Sequence, residues 1–274
     1  MKKNSLARIK AVFVKDWLEL SKNKMALTPM VIVPLIFVVV LPFIFILSTS
    51  SAGMSNMSMG DIEQFIKKFP LEKLPATLGT TQKMVYAIIV FFFAPFFLII
   101  PVMASSVLAS NSFAGEKENK TIEGLLYTPI TDRELLAAKI LVSFVPSMLI
   151  TWFSFIVYSI IVNLLTYKSF GGILFPTPAW LVLMFMLTPI MGFLSLSIII
   201  LVSRRAESVW AAQQVSALLI IPILGFILSQ AAGLIYMNSF VIFVAGLIFL
   251  AVDLLIYRWI WKTLDREHLV TNFT

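Results

Sequence analysis

Between Ser208 and Val252 the chain runs for 45 residues without one charged side chain. A helix on the surface of a water-soluble domain needs a polar face, and nothing in this stretch could supply one. Two further blocks, residues 84–115 and 140–167, are equally free of charge. At about 20 residues per crossing, the 45-residue run holds one transmembrane helix, a tight turn near Tyr236 to Ser239 and most of a second helix. Only helices and closed barrels satisfy their backbone inside lipid, and apolar runs this long and unalternating exclude strands. The composition agrees: 59% of the 274 residues are hydrophobic, 13% are charged, and the mean hydropathy is +0.96. The expected fold is therefore all-α, a polytopic integral membrane protein.

Six spans are expected, at about 25–47, 84–110, 140–166, 180–203, 211–235 and 240–261. Residues 25–262 form one transmembrane domain, and 263–274 are a cytoplasmic tail. The first apolar run is too long for a signal peptide and has no small-residue cleavage site, so it is expected to stay as an anchor. Pro29, Pro34 and Pro42 are expected to kink it. Ahead of it, residues 1–24 combine seven Lys and Arg with Leu6, Ile9, Phe13, Trp17 and Leu20 at helical spacing. That pattern describes an amphipathic helix lying in the interface with its apolar stripe in lipid. A second interfacial helix is expected over 60–69, where Ile62, Phe65, Ile66 and Phe69 share a face. With six crossings both termini lie on one side, which collects 16 of the 21 Lys and Arg against 5 on the other. By the positive-inside rule that side is the cytoplasm.

Several chemistries are excluded. Cysteine is absent, which removes disulfides and thiolate chemistry, and a single histidine, His268 in the tail, cannot build a metal cluster. None of the 11 glycines precedes a lysine, so there is no phosphate-binding loop of the GxxxxGK[ST] type. Met54, Met57 and Met59 are soft thioethers of the kind that hold Cu(I), but without Cys or His beside them they read as loop filler. No metal site, no catalytic cluster and no nucleic-acid surface is expected. Any nucleotide-driven work has to come from another subunit.

Ionisable residues inside the spans are few, and spans four and five carry polar ones such as Thr188, Ser195, Ser197, Gln214 and Ser229. Gln213, Ser216 and Gln230 in span five, with Asp253 in span six, are the candidate pathway residues, although such groups also serve as glue between helices. Asp253 is the one acid placed within a span, and it should face the bundle interior, pair with a polar neighbour, or sit near the hydrated interface. An ATP-independent secondary transporter or channel would need more intramembrane charge than this. A membrane-embedded enzyme or assembly factor would lack a catalytic cluster.

Between spans two and three lies a charged island, Phe113 to Lys139. Ile122, Leu125 and Leu126 recur at helical spacing, Thr128-Pro129 ends that helix, and Thr131 with Glu134 forms a capping box that starts the next. The motif FAGEKENKTIEGLLYTPITDRELLAAKIL resembles the membrane subunits of ATP-binding-cassette transporters of the type-2 export class. Glu116, Glu118, Thr121, Glu123, Leu125, Leu126, Pro129, Leu135 and Lys139 carry the likeness. The rest of the chain is similar in architecture only. The resemblance implies that the island is a cytoplasmic coupling helix. Glu116, Glu118, Thr121, Glu123, Leu125, Leu126 and Pro129 would form its surface toward a separate ABC ATPase. It further implies two permease subunits, identical or paralogous, two ATPases that bind ATP and Mg, and a path near spans two and five. Export across the plasma membrane, as in multidrug or peptide efflux, would be the outcome.

Overall fold

The computed structural model describes residues 2–50, 69, 78–119, 130–203, 205–206 and 208–262, and all its regular elements there are helices. Six of them are long and apolar enough to cross a membrane: Ala26–Ser48, Thr80–Glu118, Arg133–Phe170, Pro178–Ser203, Val209–Ala232 and Ser239–Ile260, here spans one to six. An N-terminal helix, α1 (Lys2–Lys22), precedes them. The second interfacial helix expected before Phe69, the methionine cluster, the coupling helix over 120–129 and His268 all lie outside the described residues. The end of the bundle that carries α1 is termed basal below, and the opposite end distal.

Spans two and three run beyond their apolar stretches. Thr131 caps the helix of span three through Glu134 N–H, at 3.3 Å, while the Glu134 carboxylate takes the Thr131 N–H at 3.0 Å. The capping box thus starts a 39-residue helix, Asp132–Phe170, about 58 Å long at 1.5 Å per residue. Hydrocarbon is only about 30 Å thick, so the first turns, with Arg133 and Glu134, project from the basal face. Gly171, at φ 69°, ends this helix in the left-handed region where a side chain would be strained, and Gly233, at φ 76°, ends span five likewise.

Span two is the hub: 83% of its most apolar window is buried, against 22% in spans one and six. Its second half is rich in small residues, among them Ala104, Ser105, Ser106, Ala109 and Ala114, all buried. Small side chains let spans three, four and five approach its backbone closely, which is how helices associate where lipid offers no hydrophobic drive.

The prolines explain the irregular turns. The helix widens to a π-type register over Leu35–Val40, Ala87–Phe92 and Leu183–Leu187, in each case just before Pro42, Pro95 or Pro189. Proline has no N–H, and in a π register the carbonyl it fails to satisfy lies five residues back. For Pro95 that acceptor is Val90, and the buried Trp180 indole of span four donates to it at 2.7 Å. For Pro189 the acceptor is Met184, which receives Trp152 Nε1 of span three at 3.2 Å and Thr188 Oγ1 at 2.6 Å. Tyr158 OH also donates to the Ile89 carbonyl of the same π segment as Val90, at 2.9 Å. Trp152 lies beside Phe185, while the other two donor rings, Trp180 and Tyr158, pack into a distal aromatic core. There Trp180 stands 4.8 Å from Phe175, 4.9 Å from Phe97 and 5.2 Å from Tyr158, centroid to centroid.

The face of α1 differs from the expected stripe. Val12, Asp16 and Leu20 are buried, packing against the bundle chiefly along span three, whereas Leu6 and Trp17 are exposed. Apolar residues stand on two sides of α1. One side is taken by the protein and the other is left for lipid.

Candidate coupling site and transport seam

At the basal end, the last turns of span two meet the start of span three and the middle of α1. Glu116 is buried here, 5% exposed, with a lysine on each carboxylate oxygen. Lys139 of span three, equally buried, bonds Oε2 of Glu116 and the Ser112 carbonyl, with its ammonium 5.2 Å from the centre of the Phe113 ring. Lys15 of α1 approaches Oε1 at 3.0 Å and also reaches Asp16 at 3.3 Å and Glu19 at 3.7 Å. Ser112 closes the group by donating to Asp16 Oδ2 at 3.0 Å. Burial works against the Lys15 charge, but the hydrogen bond and the field of Glu116, helped by Asp16, outweigh it and hold the ammonium above its ordinary pKa of 10.5. Desolvated charges survive only when paired and hydrogen-bonded like this, and the geometry therefore ties three helices into one unit.

Two further contacts extend the unit. Arg8 of α1 lies 3.5 Å from Glu134, at the cap of span three. Glu118 accepts the backbone N–H of Val209 at 2.9 Å, so it caps the first turn of span five. The carboxylates of Glu116 and Glu118 thus face inward, toward α1, span three and span five. The other expected coupling residues, Thr121, Glu123, Leu125, Leu126 and Pro129, lie outside the described residues. The described residues on either side of them are anchored to the bundle: Glu116 and Glu118 before, and Ile130, Glu134 and Lys139 after.

The candidate pathway residues do not form one group. Gln213 donates to Ser110 Oγ of span two at 3.0 Å. Ser216 shares a 2.8 Å hydrogen bond with Ser195 of span four, which also bonds the Val102 carbonyl at 3.0 Å. Both therefore sit on the seam between spans two and five, at its basal half. Gln230 belongs to the distal half of span five, fully buried, and among the described residues neither amide atom has a hydrogen-bond partner. Asp253 points elsewhere: 2% exposed, it accepts from Ser197 Oγ at 2.8 Å and joins span six to span four. The pairing with a polar neighbour matches what burial of a carboxylate requires.

Sequence reasoning passed over Asp16, Lys15 as a partner for Glu116, and Trp210. Asp16 had a signal, since it falls four residues from both Val12 and Leu20 on the same face of α1. An acid on a buried face needs a cation, and the lysine beside it supplies one. Trp210, 70% exposed at the start of span five, had none.

The family model for ABC-2 family transporter proteins matches residues 10–256 of the chain. Searches of curated proteins and of solved structures give no match.

Proposed function

This chain belongs to the ABC-2 family of transporter proteins and is a membrane component of an ABC transporter, and from that premise we propose that it is the permease subunit of an exporter. Two copies, or this chain and a paralogue, enclose the path. A separate cytoplasmic ATPase docks on residues 120–129 and supplies the work, with ATP and Mg bound in that partner. Both termini and the basal end face the cytoplasm of the plasma membrane.

The observation that carries this reading is the ionic unit of Lys15, Glu116 and Lys139. A push applied to residues 120–129 enters two spans at once, because Glu116 and Lys139 on either side of the segment are bonded to each other. The same force reaches α1 through Lys15 and span five through Glu118. A buried, fully paired group transmits displacement as rigid-body motion rather than dissipating it in a loop. On this account Glu116 and Glu118 hold the coupling segment in place, and Glu123 with its apolar neighbours meets the ATPase. The cargo path follows the seam of spans two and five, with Gln213 and Ser216 near its cytoplasmic mouth and Gln230 toward its outer end.

Affinity capture from cells that also express the ATPase tests the docking half. Glu123→Lys should abolish or strongly reduce ATPase recovery, and Glu118→Lys should reduce it less, while both proteins stay folded by thermal melting. Undiminished ATPase recovery and ATP-driven export in both variants would remove the docking role. Transport by the purified chain alone would favour an ATP-independent carrier.

A further inference from the structure

Span five is two helices joined by a turn of tighter coil. Val209–Ser216 and Ile220–Ala232 are α-helical, and Ala217–Leu219 between them is a 3₁₀ turn. Pro222 stands just beyond it and brings no N–H, so the Leu218 carbonyl has no α-helical donor. A 3₁₀ turn inside a helix, followed by proline, is where the helix bends most readily. A groove of about 190 Å³ runs beside the break, bounded on span five by Trp210, Ser216, Ala217 and Ile220 and on span two by Met103 and Val107. The turn therefore has open space next to it.

The two halves are held unequally. The basal half is hydrogen-bonded to its neighbours three times: Val209 N–H to Glu118, Gln213 to Ser110 and Ser216 to Ser195. The outer half packs on Ala87–Phe92 and Ala94–Phe97 of span two, with Ile223 and Ile227 buried there. No hydrogen bond among the described residues joins a side chain of 220–230 to another span. Past Gly233, Tyr236 stands 6.1 Å from Phe69, whose ring stacks 5.8 Å from Phe91, and ring contacts of that kind carry no hydrogen bond to break. Gln230 works against the docked position altogether. It is fully buried with both amide atoms unpartnered among the described residues, and an amide in that state destabilises the arrangement that buries it. It lies three residues before Gly233, where the helix ends at the distal side. A small outward swing therefore brings the amide to interfacial water.

We propose that span five is hinged at Ala217–Leu219 and that Gln230 is the residue that drives its outer half off span two: docked, the amide is buried unpaired, and undocked it is hydrated at the distal interface. Span two is irregular as well, but Trp180 and Tyr158 pin its Val90 and Ile89 carbonyls to spans four and three. The outer half of span five has no such pin among the described residues, so it is the part that leaves. Burying a needless polar group is a poor way to stabilise a helix pair and a good way to keep it only just closed. The proposal rests on the permease reading for its purpose, which is to part the seam at its outer end. The motion itself is a property of the chain alone.

The chain has no cysteine, so cysteines introduced in pairs at exposed positions carry the only nitroxide labels. Pulsed dipolar spectroscopy tests the hinge on the full chain in phosphatidylcholine nanodiscs, without the ATPase and diluted with unlabelled chain. Leu228→Cys with Leu164→Cys reads the outer half of span five against span three, and Gln214→Cys with Leu141→Cys reads the basal half. The outer pair should show two distances and the basal pair one. Gln230→Met keeps the side-chain length and removes the amide, so it should shrink the undocked population about tenfold and raise the melting midpoint. Gln230→Glu should enlarge that population, because a carboxylate is harder to bury, and Pro222→Ala should shrink it about threefold by restoring an N–H to the break. A Gln230 that merely fills space would instead give a lower melting midpoint in Gln230→Met. That result, a single distance for the outer pair, populations unchanged by Gln230→Met, or a second distance in the basal pair alone would each overturn the proposal. Such a failure leaves ATPase capture untouched, and lost capture leaves the two distances in place, so the two readings fail separately.

Discussion

The distal core and the basal unit meet the same problem with opposite means. In both, polar groups are buried where water cannot pair with them. Distally the groups are backbone carbonyls, two of them left over by proline, and neutral aromatic donors take them: Trp180 for Val90, Trp152 for Met184, and Tyr158 for Ile89. Basally the groups are carboxylates, and lysines from two other helices take them. A tryptophan donor comes with a large ring that must be packed, so the distal arrangement is locked by its own bulk. A lysine comes on a flexible stem and a charge that acts at longer range, so the basal unit holds helices together while still allowing them to shift as a body. On the proposed coupling role, the distal core is the part that stays and the basal unit the part that is moved.

The largest test of that contrast is Trp180→Ala. It empties a fully buried aromatic site and orphans the Val90 carbonyl, and should cost about 5 kcal/mol in reversible unfolding from detergent. Trp180→Phe keeps a six-membered ring but loses the N–H and the pyrrole half of the indole, so a smaller loss, about 1–3 kcal/mol, is expected from the hydrogen bond and the reduced packing together. An unchanged midpoint in Trp180→Phe would mean that the proline-orphaned carbonyl needs no partner. Next in size, Lys139→Met leaves Glu116 buried with one cation instead of two and should cost about 3 kcal/mol, most of which Lys139→Met/Glu116→Leu should restore. Stability restored without ATP-driven export would place the worth of the pair in coupling; export restored along with stability would place it in folding.

The smallest effect expected is one of pH. The Lys15 ammonium sits above its ordinary pKa of 10.5, so what it adds to stability is fully present below that value and fades as pH rises through the elevated one. Wild-type melting temperature should therefore fall above about pH 10.5, and Lys15→Met should show a shallower fall. Among the described residues the distal core contains no comparable ion pair, so Trp180→Phe should leave the slope of that alkaline limb unaltered.

Much of the architecture was legible because hydropathy and capping act locally. Six crossings follow from apolar length, and the start of span three follows from Thr131 and Glu134, three residues apart. The irregular turns were only half legible. Three prolines in span one pointed to an irregular helix, and a π-type segment follows over Leu35–Val40, but nothing local said that Trp180 would satisfy the Val90 carbonyl, 90 residues before it. At the candidate site, Glu116 and Lys139 were visible as members of a charged motif. Their direct contact, across 23 residues, was not.

What this amino-acid order decides alone is everything that depends on the solvent each stretch can tolerate: that the protein lives in a bilayer, how often it crosses, and where helices begin at caps and end at glycines. Those are free energies of transfer and of local hydrogen bonding, and they are set within a few turns of chain. Tertiary structure alone decides partnership. It turns Asp16 and Glu116 toward the same lysine and separates Asp253 from the seam of spans two and five. Such choices belong to contacts between residues far apart in the chain, where one charge or one ring has several possible neighbours and packing selects among them.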